Sequence, residues 1–213
     1  DPEGDGRPAI TGREGSAVWD FLPLRHSRGS SSFTAFSHLT LSIHQRHTEV
    51  IITVPNAVTR GLRRNLLDLG QSGFRELVLQ VEERISKVVR RIDGAYPHMY
   101  FVQRYYPSQR ATPKIHARLE FDLRTARTDS TPVKHQPQWI EAGFDVFKNK
   151  KSNLQLGIGA IIPHGSAVMR SPDSLDVVAG IWTACTPWIL TILGGALTAR
   201  SQLRPTLSPR KAK

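Results

Sequence analysis

The chain has 213 residues but only one cysteine, Cys185. A single thiol excludes an intrachain disulfide framework, a cysteine-rich zinc site and a Cys-x-x-Cys redox pair. The sequence also lacks the GxxxxGK[ST], GxGxxG, HExxH and GxSxG patterns. These absences exclude the usual forms of phosphate-binding loops, zinc proteases and serine hydrolases. Because Cys185 lies in an apolar segment, we expect it to be an inert core residue.

Acidic residues are few compared with basic ones. There are 18 Asp and Glu against 29 Lys and Arg, which gives a net charge of +11. Such a charge favours a polyanionic partner, and nucleic acid is the first expectation. Five of the basic residues lie in the last fourteen positions without an acid: Arg200, Arg204, Arg210, Lys211 and Lys213. The sequence therefore predicts a basic flexible tail at 196–213.

Long uncharged segments are rare, and residues 177–199 form the one that is long enough to cross a membrane. Pro187 and the Gly194-Gly195 pair interrupt it, so we favour a core helix that begins at Ser171-Pro172-Asp173 and kinks or ends near Pro187. The residues predicted to face the core are Leu175, Val178, Trp182, Cys185 and Ile189. A membrane-anchored interaction domain with a span at 177–199 is the alternative. The first ten residues lack the pattern of a secretory leader, so we expect a cytoplasmic location.

Alternating apolar residues predict a β-hairpin with Leu39, Leu41 and Ile43 in one strand and Val50, Ile52 and Val54 in the other. A helix is expected from Asn56 to about Leu69, and a step of three and four between apolar residues predicts another over 73–92. The further strand candidates are residues 99–106, 115–124, 139–148 and 154–162.

The resulting order is β-β-α-α-β-β-β-β-α, which predicts an α+β fold: a largely antiparallel sheet of about six strands with helices on one face. We expect residues 1–32 to be a flexible lead-in with a short docking segment around Trp19 and Phe21. Residues 33–195 are then a single domain, followed by the tail.

The side of the sheet away from the helices is expected to be polar. Alternation assigns to it His38, Thr40, Ser42, His44, His116, Arg118, Glu120, Asp122, Arg124, Glu141 and Asp145. Glu120, Asp122, Glu141 and Asp145 are candidate ligands for Mg²⁺ or Mn²⁺, and Glu120, Asp122 and His116 are candidate catalytic residues of a metal-dependent phosphodiesterase or nuclease. The competing interpretation is a solvated polar face on which Arg118 and Arg124 neutralise the acids.

Aromatic and basic residues alternate in the segment that contains Arg104, Tyr105, Tyr106 and Arg110. Guanidinium and aromatic planes are the groups that contact phosphates and stack on bases. Arg63 and Arg64 add positive charge on the first predicted helix. The leading hypothesis is a small basic binding module for an acidic partner, nucleic acid first, with no cofactor and no catalysis of its own. The phosphodiesterase and the membrane-anchored domain remain alternatives, and whether the protein is an enzyme stays open.

Overall fold

A seven-stranded antiparallel sheet forms the centre of the protein. The computed structural model describes residues 12–14, 17–24, 36–55, 61–105, 114–127, 139–149 and 154–194. The strands are β1 Gly12–Glu14, β2 Ala17–Pro23, β3 His38–Ile43, β4 His47–Val54, β5 Tyr96–Tyr105, β6 Lys114–Asp122 and β7 Leu154–Pro163. The segment predicted only to dock is thus strand β2, which pairs with β3. The predicted α+β class with an antiparallel sheet is confirmed.

Strand β7 joins two separate hairpins. The order across the sheet is β1-β2-β3-β4-β7-β5-β6, so β7, the last strand in the sequence, lies between β4 and β5. It pairs with β4 from Leu156 to Pro163 and with β5 from Leu154 to Ile161. Nearly every β7 residue is buried, as expected for a strand that has a neighbouring strand on both sides.

Five helices share one hydrophobic core with one face of the sheet. They are α1 Leu62–Leu67, α2 Gly70–Val89, α3 Trp139–Asn149, α4 Ser174–Ala184 and α5 Thr186–Ile192. The helix predicted at 73–92 is confirmed, although it begins at Gly70 and ends at Val89. The helix predicted from 56 to 69 is described only at Leu62–Leu67, because residues 56–60 lie outside the described part of the chain.

The strand predicted at 139–148 is wrong, because these residues form helix α3. Both periodicities fit the segment: Ile140 and Phe144 satisfy strand alternation, but Ile140, Phe144 and Phe147 also follow the helical spacing. In the helix all three are buried, and Gly143 lies against Phe101. Alternation would have left the apolar Phe147 on the polar side. As a consequence Glu141 and Asp145 lie on a helix and not on the polar side of the sheet.

The apolar run near the C-terminus folds as two core helices. Helix α4 ends at Ala184 and α5 begins at Thr186 with Pro187 in its first turn, so the predicted break near Pro187 is confirmed. The predicted core stripe is wrong at Leu175, which is 75% exposed. Val178 and Cys185 of that stripe are buried, and Trp182 and Ile189 are partly buried against the core. The other buried positions in this region are Ile181, Ala184, Trp188 and Ile192.

A membrane span in this region has limited support. Among the described residues no single helix is long and apolar enough to cross a bilayer. The α4 and α5 pair passes that test only when the two helices are taken together, and it is bent by 46°.

Substitutions in α4 and α5 distinguish core from surface. The Trp188 side chain is fully buried and packs edge-on against Phe74, with 5.9 Å between ring centroids. We expect Trp188→Ala to lower the free energy of unfolding by about 3–5 kcal/mol, because the cavity adds to the lost burial. The matched control Leu175→Ala, at an exposed position of α4, should change it by less than about 0.5 kcal/mol. Urea unfolding measures both, and equal effects would contradict this packing.

The Cys185 thiol provides a second check of the core. Burial raises its pKa to about 12, so almost no thiolate exists near neutral pH. We expect Cys185 in the folded chain to resist a thiol-specific disulfide reagent at pH 8, and to react fully in guanidinium chloride. Rapid labelling without denaturant would show that the junction of α4 and α5 is open.

Candidate functional site

The sheet face turned away from the helices carries a band of polar side chains, called here the polar face. It contains Glu49 of β4, His98 and Tyr100 of β5, and Arg118 and Glu120 of β6, which strand alternation places on one side. His38, Thr40 and Ser42 of β3 share this side through their pairing with β4. Much of the face is buried: Glu49 is 5% exposed and His98 is 2% exposed. A buried polar group is costly unless it is paired, so each partner on this face matters.

Two glycines of β7 leave room for these side chains to meet. Gly157 pairs with Tyr100 and Gly159 pairs with His98. A Cβ atom at Gly157 would lie 2.3 Å from Tyr100 Cε1, so the tyrosine ring occupies the space where a side chain would be. The Tyr100 hydroxyl accepts a hydrogen bond of 2.9 Å from Gln155 Nε2. Because Gly157 and Gly159 have no side chains on this face, side chains of β4 can reach those of β5 and β6 across β7.

Five residues form the His–Glu cluster: His44, His47, Glu49, His98 and Glu120. They divide into two sets, His44–His47–Glu49 and Glu49–His98–Glu120, and within each set one potential ligand atom per residue lies within 4.8 Å of the others. Glu49 belongs to both sets. Its Oε2 lies 3.4 Å from His44 Nε2, and its Oε1 lies 3.9 Å from His47 Nε2. The two imidazole rings are stacked with centroids 4.5 Å apart.

Arg118 links the two carboxylates of the cluster. Its Nη2 lies 3.3 Å from Glu49 Oε1, and its Nε donates a hydrogen bond to Glu120 Oε1. The guanidinium also lies 5.0 Å from the centre of the Tyr100 ring. Burial alone would lower the pKa of Arg118, but Glu120 and Glu49 outweigh it and raise the pKa. One side chain of β6 thereby reaches β4 across two intervening strands.

His98 is held as a neutral imidazole. Burial lowers its pKa, while Glu49 and Glu120 act in the opposite direction. The ring has a hydrogen bond with the backbone of Phe121, whereas its buried Nε2 has no hydrogen-bond partner among the described residues. Burial and the neighbouring His44 likewise lower the pKa of His47, against the effect of Glu49. Nitrogen lone pairs are therefore available near neutral pH on both histidines.

Asp122 continues the polar face towards the end of β6. Arg124 binds its carboxylate with two side-chain nitrogens, Nε at 3.0 Å from Oδ1 and Nη2 at 2.6 Å from Oδ2. Burial alone would raise the pKa of Asp122, but the hydrogen bonds from Arg124 outweigh it and lower the pKa. The Arg124 guanidinium lies 4.9 Å from the centre of the Tyr96 ring.

The four predicted metal-ligand carboxylates do not come together. Glu120 and Asp122 lie on the polar face, but Arg118 and Arg124 pair with them. Glu141 on α3 has its Oε1 3.3 Å from Arg75 Nη1, and Asp145 is exposed on the same helix. Placing Glu141 and Asp145 on the sheet was wrong because residues 139–149 are helical. The side chain of His116, on β6, lies outside the described part of the structure.

The predicted nucleic-acid contacts have different surroundings. Arg63 is only 7% exposed, donates a hydrogen bond to the carbonyl oxygen of Phe147 and lies over that ring. Arg64 is exposed on α1, with its Nε 3.7 Å from Asp68 Oδ2. Arg104 and Tyr105 end β5, and their side chains lie outside the described part of the structure, as do residues Tyr106 and Arg110 altogether.

Three members of the cluster were missed by the sequence patterns. His47, Glu49 and Thr53 are separated by even numbers of residues in β4, so strand alternation places all three side chains on the polar face. His98 fell one position before the predicted strand at 99–106, whereas β5 begins at Tyr96. Alternation along a strand can therefore assign a residue to a face of the sheet, but it does not reveal that β7 lies between β4 and β5 and pairs with both.

A second feature is the arginine groove, a concave surface of about 530 Å³ where α2 turns into β5. Arg90 and Arg91 line it from the end of α2, and Arg124 lines it from the residues after β6. All three side chains are exposed. Gly94 closes the turn with a φ of +69°, a conformation that favours glycine. Among the described residues that line the groove, Asp93 is the one acid.

Comparison with known proteins does not identify the chain. No protein-family model matches it, and no curated protein matches it either. Two features of the described residues, the His–Glu cluster and the arginine groove, are therefore the basis for inferring function.

Adding one methyl group at Gly157 tests whether the Tyr100 ring occupies the space beside β7. We expect Gly157→Ala to lower the free energy of unfolding by about 1–3 kcal/mol, because the new Cβ would overlap the Tyr100 ring. The control Gly165→Ala has nothing within 4 Å of the new Cβ and should leave stability nearly unchanged. Urea unfolding of both variants measures the difference. Equal stability of the two variants would show that Tyr100 does not lie across β7.

Proposed function

We propose that the protein is a nucleic-acid-binding module and that the arginine groove contacts phosphates. The observation that carries the proposal is that Arg90 and Arg91 line one concave surface together with Arg124, whose guanidinium also pairs with Asp122. Guanidinium groups suit this role because their planar donors match phosphate oxygens. The arginines come from different elements of the fold, so folding itself creates the surface.

The positive charge on the rest of the chain also favours a polyanionic partner. The net charge is +11, and five basic residues without an acid lie in the last fourteen positions. These basic residues add to the attraction to a polyanion, because each phosphate that they contact releases counterions. We expect Arg104, Tyr105, Tyr106 and Arg110 to add contacts, as their sequence pattern predicts. Arg63 is not part of the proposal, because its buried guanidinium already binds Phe147.

The groove favours binding that does not depend on base sequence. The aromatic ring beside it, Tyr96, already has the Arg124 guanidinium over one of its faces. Among the described side chains the groove therefore offers phosphate contacts in preference to a stacking platform. Phosphate contacts position a nucleic acid but carry no sequence information.

A phosphodiesterase based on Glu120, Asp122, Glu141 and Asp145 finds no support in the geometry. Two of these carboxylates pair with arginines on the sheet, and the other two are on helix α3. A membrane anchor at 177–199 is also disfavoured, because Ile181 and Trp188 have no exposed surface and contribute to the core. The proposal accordingly includes no catalytic step and no anchor.

The groove predicts a specific change in the salt dependence of binding. For a fluorescent single-stranded oligonucleotide, the affinity of the full chain should fall steeply as salt rises. Arg90→Gln/Arg91→Gln should reduce the slope of log K against log salt by about 1.4, since each phosphate contact with a single strand contributes about 0.7. Fluorescence anisotropy at four salt concentrations measures the slope.

The matched control is Lys148→Gln/Arg170→Gln, which removes the same charge from exposed positions that do not line the groove. It should change the slope by less than half as much. Deleting residues 200–213 should also reduce the slope, and Arg104→Gln/Arg110→Gln should weaken binding further. An equal loss in control and groove variants would refute the groove as a contact surface. A flat salt response, or no binding at low salt, would refute the function.

A further inference from the structure

We propose that Glu49, His98 and Glu120 bind one divalent transition-metal ion on the polar face. One potential ligand atom from each residue lies within 4.8 Å of the other two, which is close enough for a single ion to contact all three. The three residues come from β4, β5 and β6, which are regular strands of the sheet. The inference of a metal site does not rest on the proposed nucleic-acid binding, and neither inference requires the other.

His98 is the strongest part of the argument. It is only 2% exposed, and its buried Nε2 has no hydrogen-bond partner among the described residues. A buried polar atom without a partner is uncommon, and an absent ion is one of the recognised explanations. The ring also has a hydrogen bond with the backbone of Phe121. Metal-binding histidines show this arrangement, in which one ring nitrogen binds the protein and the other is left for the metal.

The charges around His98 also fit a cation. Glu49 is a carboxylate that is 5% exposed, and Glu120 adds a second negative charge. Among the described residues Arg118 is the one Lys or Arg side chain that contacts both of them. Two carboxylates therefore share one guanidinium, and Glu49 is almost fully buried. A carboxylate is costly to bury, and a divalent ion between the two would offset that cost.

The donor set indicates the class of ion. One imidazole nitrogen with two carboxylates suits Zn²⁺, Co²⁺, Mn²⁺ or Fe²⁺ better than Mg²⁺, which prefers oxygen ligands. This differs from the all-carboxylate Mg²⁺ or Mn²⁺ site that the sequence predicted. The side chain of Glu120 is 50% exposed, so an ion can enter from its side of the cluster. His44 and His47 flank Glu49 and can be tested as competing ligands.

The experiment titrates metal-free full-length protein with Zn²⁺ by calorimetry, and with Co²⁺ by its visible absorption. We expect one high-affinity Zn²⁺ site and a rise in melting temperature with Zn²⁺ but not with Mg²⁺. Glu49→Gln and His98→Gln should each weaken Zn²⁺ binding at least roughly tenfold, because even outer partners of metal ligands cost about that much. His164→Gln, a histidine outside both sets of the cluster, is the matched control and should bind Zn²⁺ as the parent chain does.

Two further variants keep the test valid if a buried substitution prevents folding. Glu120→Gln alters the half-exposed ligand and should also weaken Zn²⁺ binding at least roughly tenfold. Arg118→Gln removes the competing cation, so Zn²⁺ should bind more tightly than in the parent chain. Absence of any Zn²⁺ effect on melting would overturn the proposal. Loss of binding in His44→Gln/His47→Gln, with binding retained in His98→Gln, would equally overturn it.

Discussion

The pairing of β7 with both β4 and β5 is the constraint on which the rest of the structure depends. Without this pairing, the β3–β4 pair and the β5–β6 pair would have no strand between them and would not form one sheet. With it, Ile158 and its neighbours complete the core beneath the helices, and Glu49 comes within reach of His98 and Arg118 on the other face. Each of these contacts spans a long stretch of sequence, so the ladders of β7 must form before either the core or the cluster is complete.

Alternation along the strands gives this sheet one apolar face and one polar face. One face buries apolar side chains under the helices, while the other buries Glu49 and His98, which are expensive to remove from water. Replacing a buried ion pair with apolar residues is often neutral, or stabilising by about 1–4 kcal/mol. Stability alone therefore does not account for a buried carboxylate beside a buried imidazole whose Nε2 lacks a hydrogen-bond partner among the described residues. A ligand that pairs with both would account for the arrangement.

The spacing of apolar residues predicted a helix or a strand correctly where it fitted only one of the two. It failed at residues 139–149, where the spacing fitted both. Phe74 to Ile85 step with helical spacing and the face from Leu119 to Leu123 alternates, so α2 and β6 were found to within a few residues at each end. Residues 139–149 satisfied both periods, and the burial of Phe147, which only tertiary packing decides, made them a helix. The His–Glu cluster was out of reach for another reason. Periodicity assigns Glu49 and Glu120 to a face, but the order of strands determines which residues meet.

The arginine groove and the His–Glu cluster lie next to each other in the fold. Tyr96 and His98 share one side of β5, and the Arg124 guanidinium lies over the Tyr96 ring while it binds Asp122. A metal ion held by Glu49, His98 and Glu120 would thus place positive charge beside the surface proposed to contact phosphates. Thermodynamic linkage requires any such coupling to act equally in both directions, so nucleic acid would strengthen metal binding by the same factor. The two inferences are separable in their tests, yet the fold puts their charges where each favours the other.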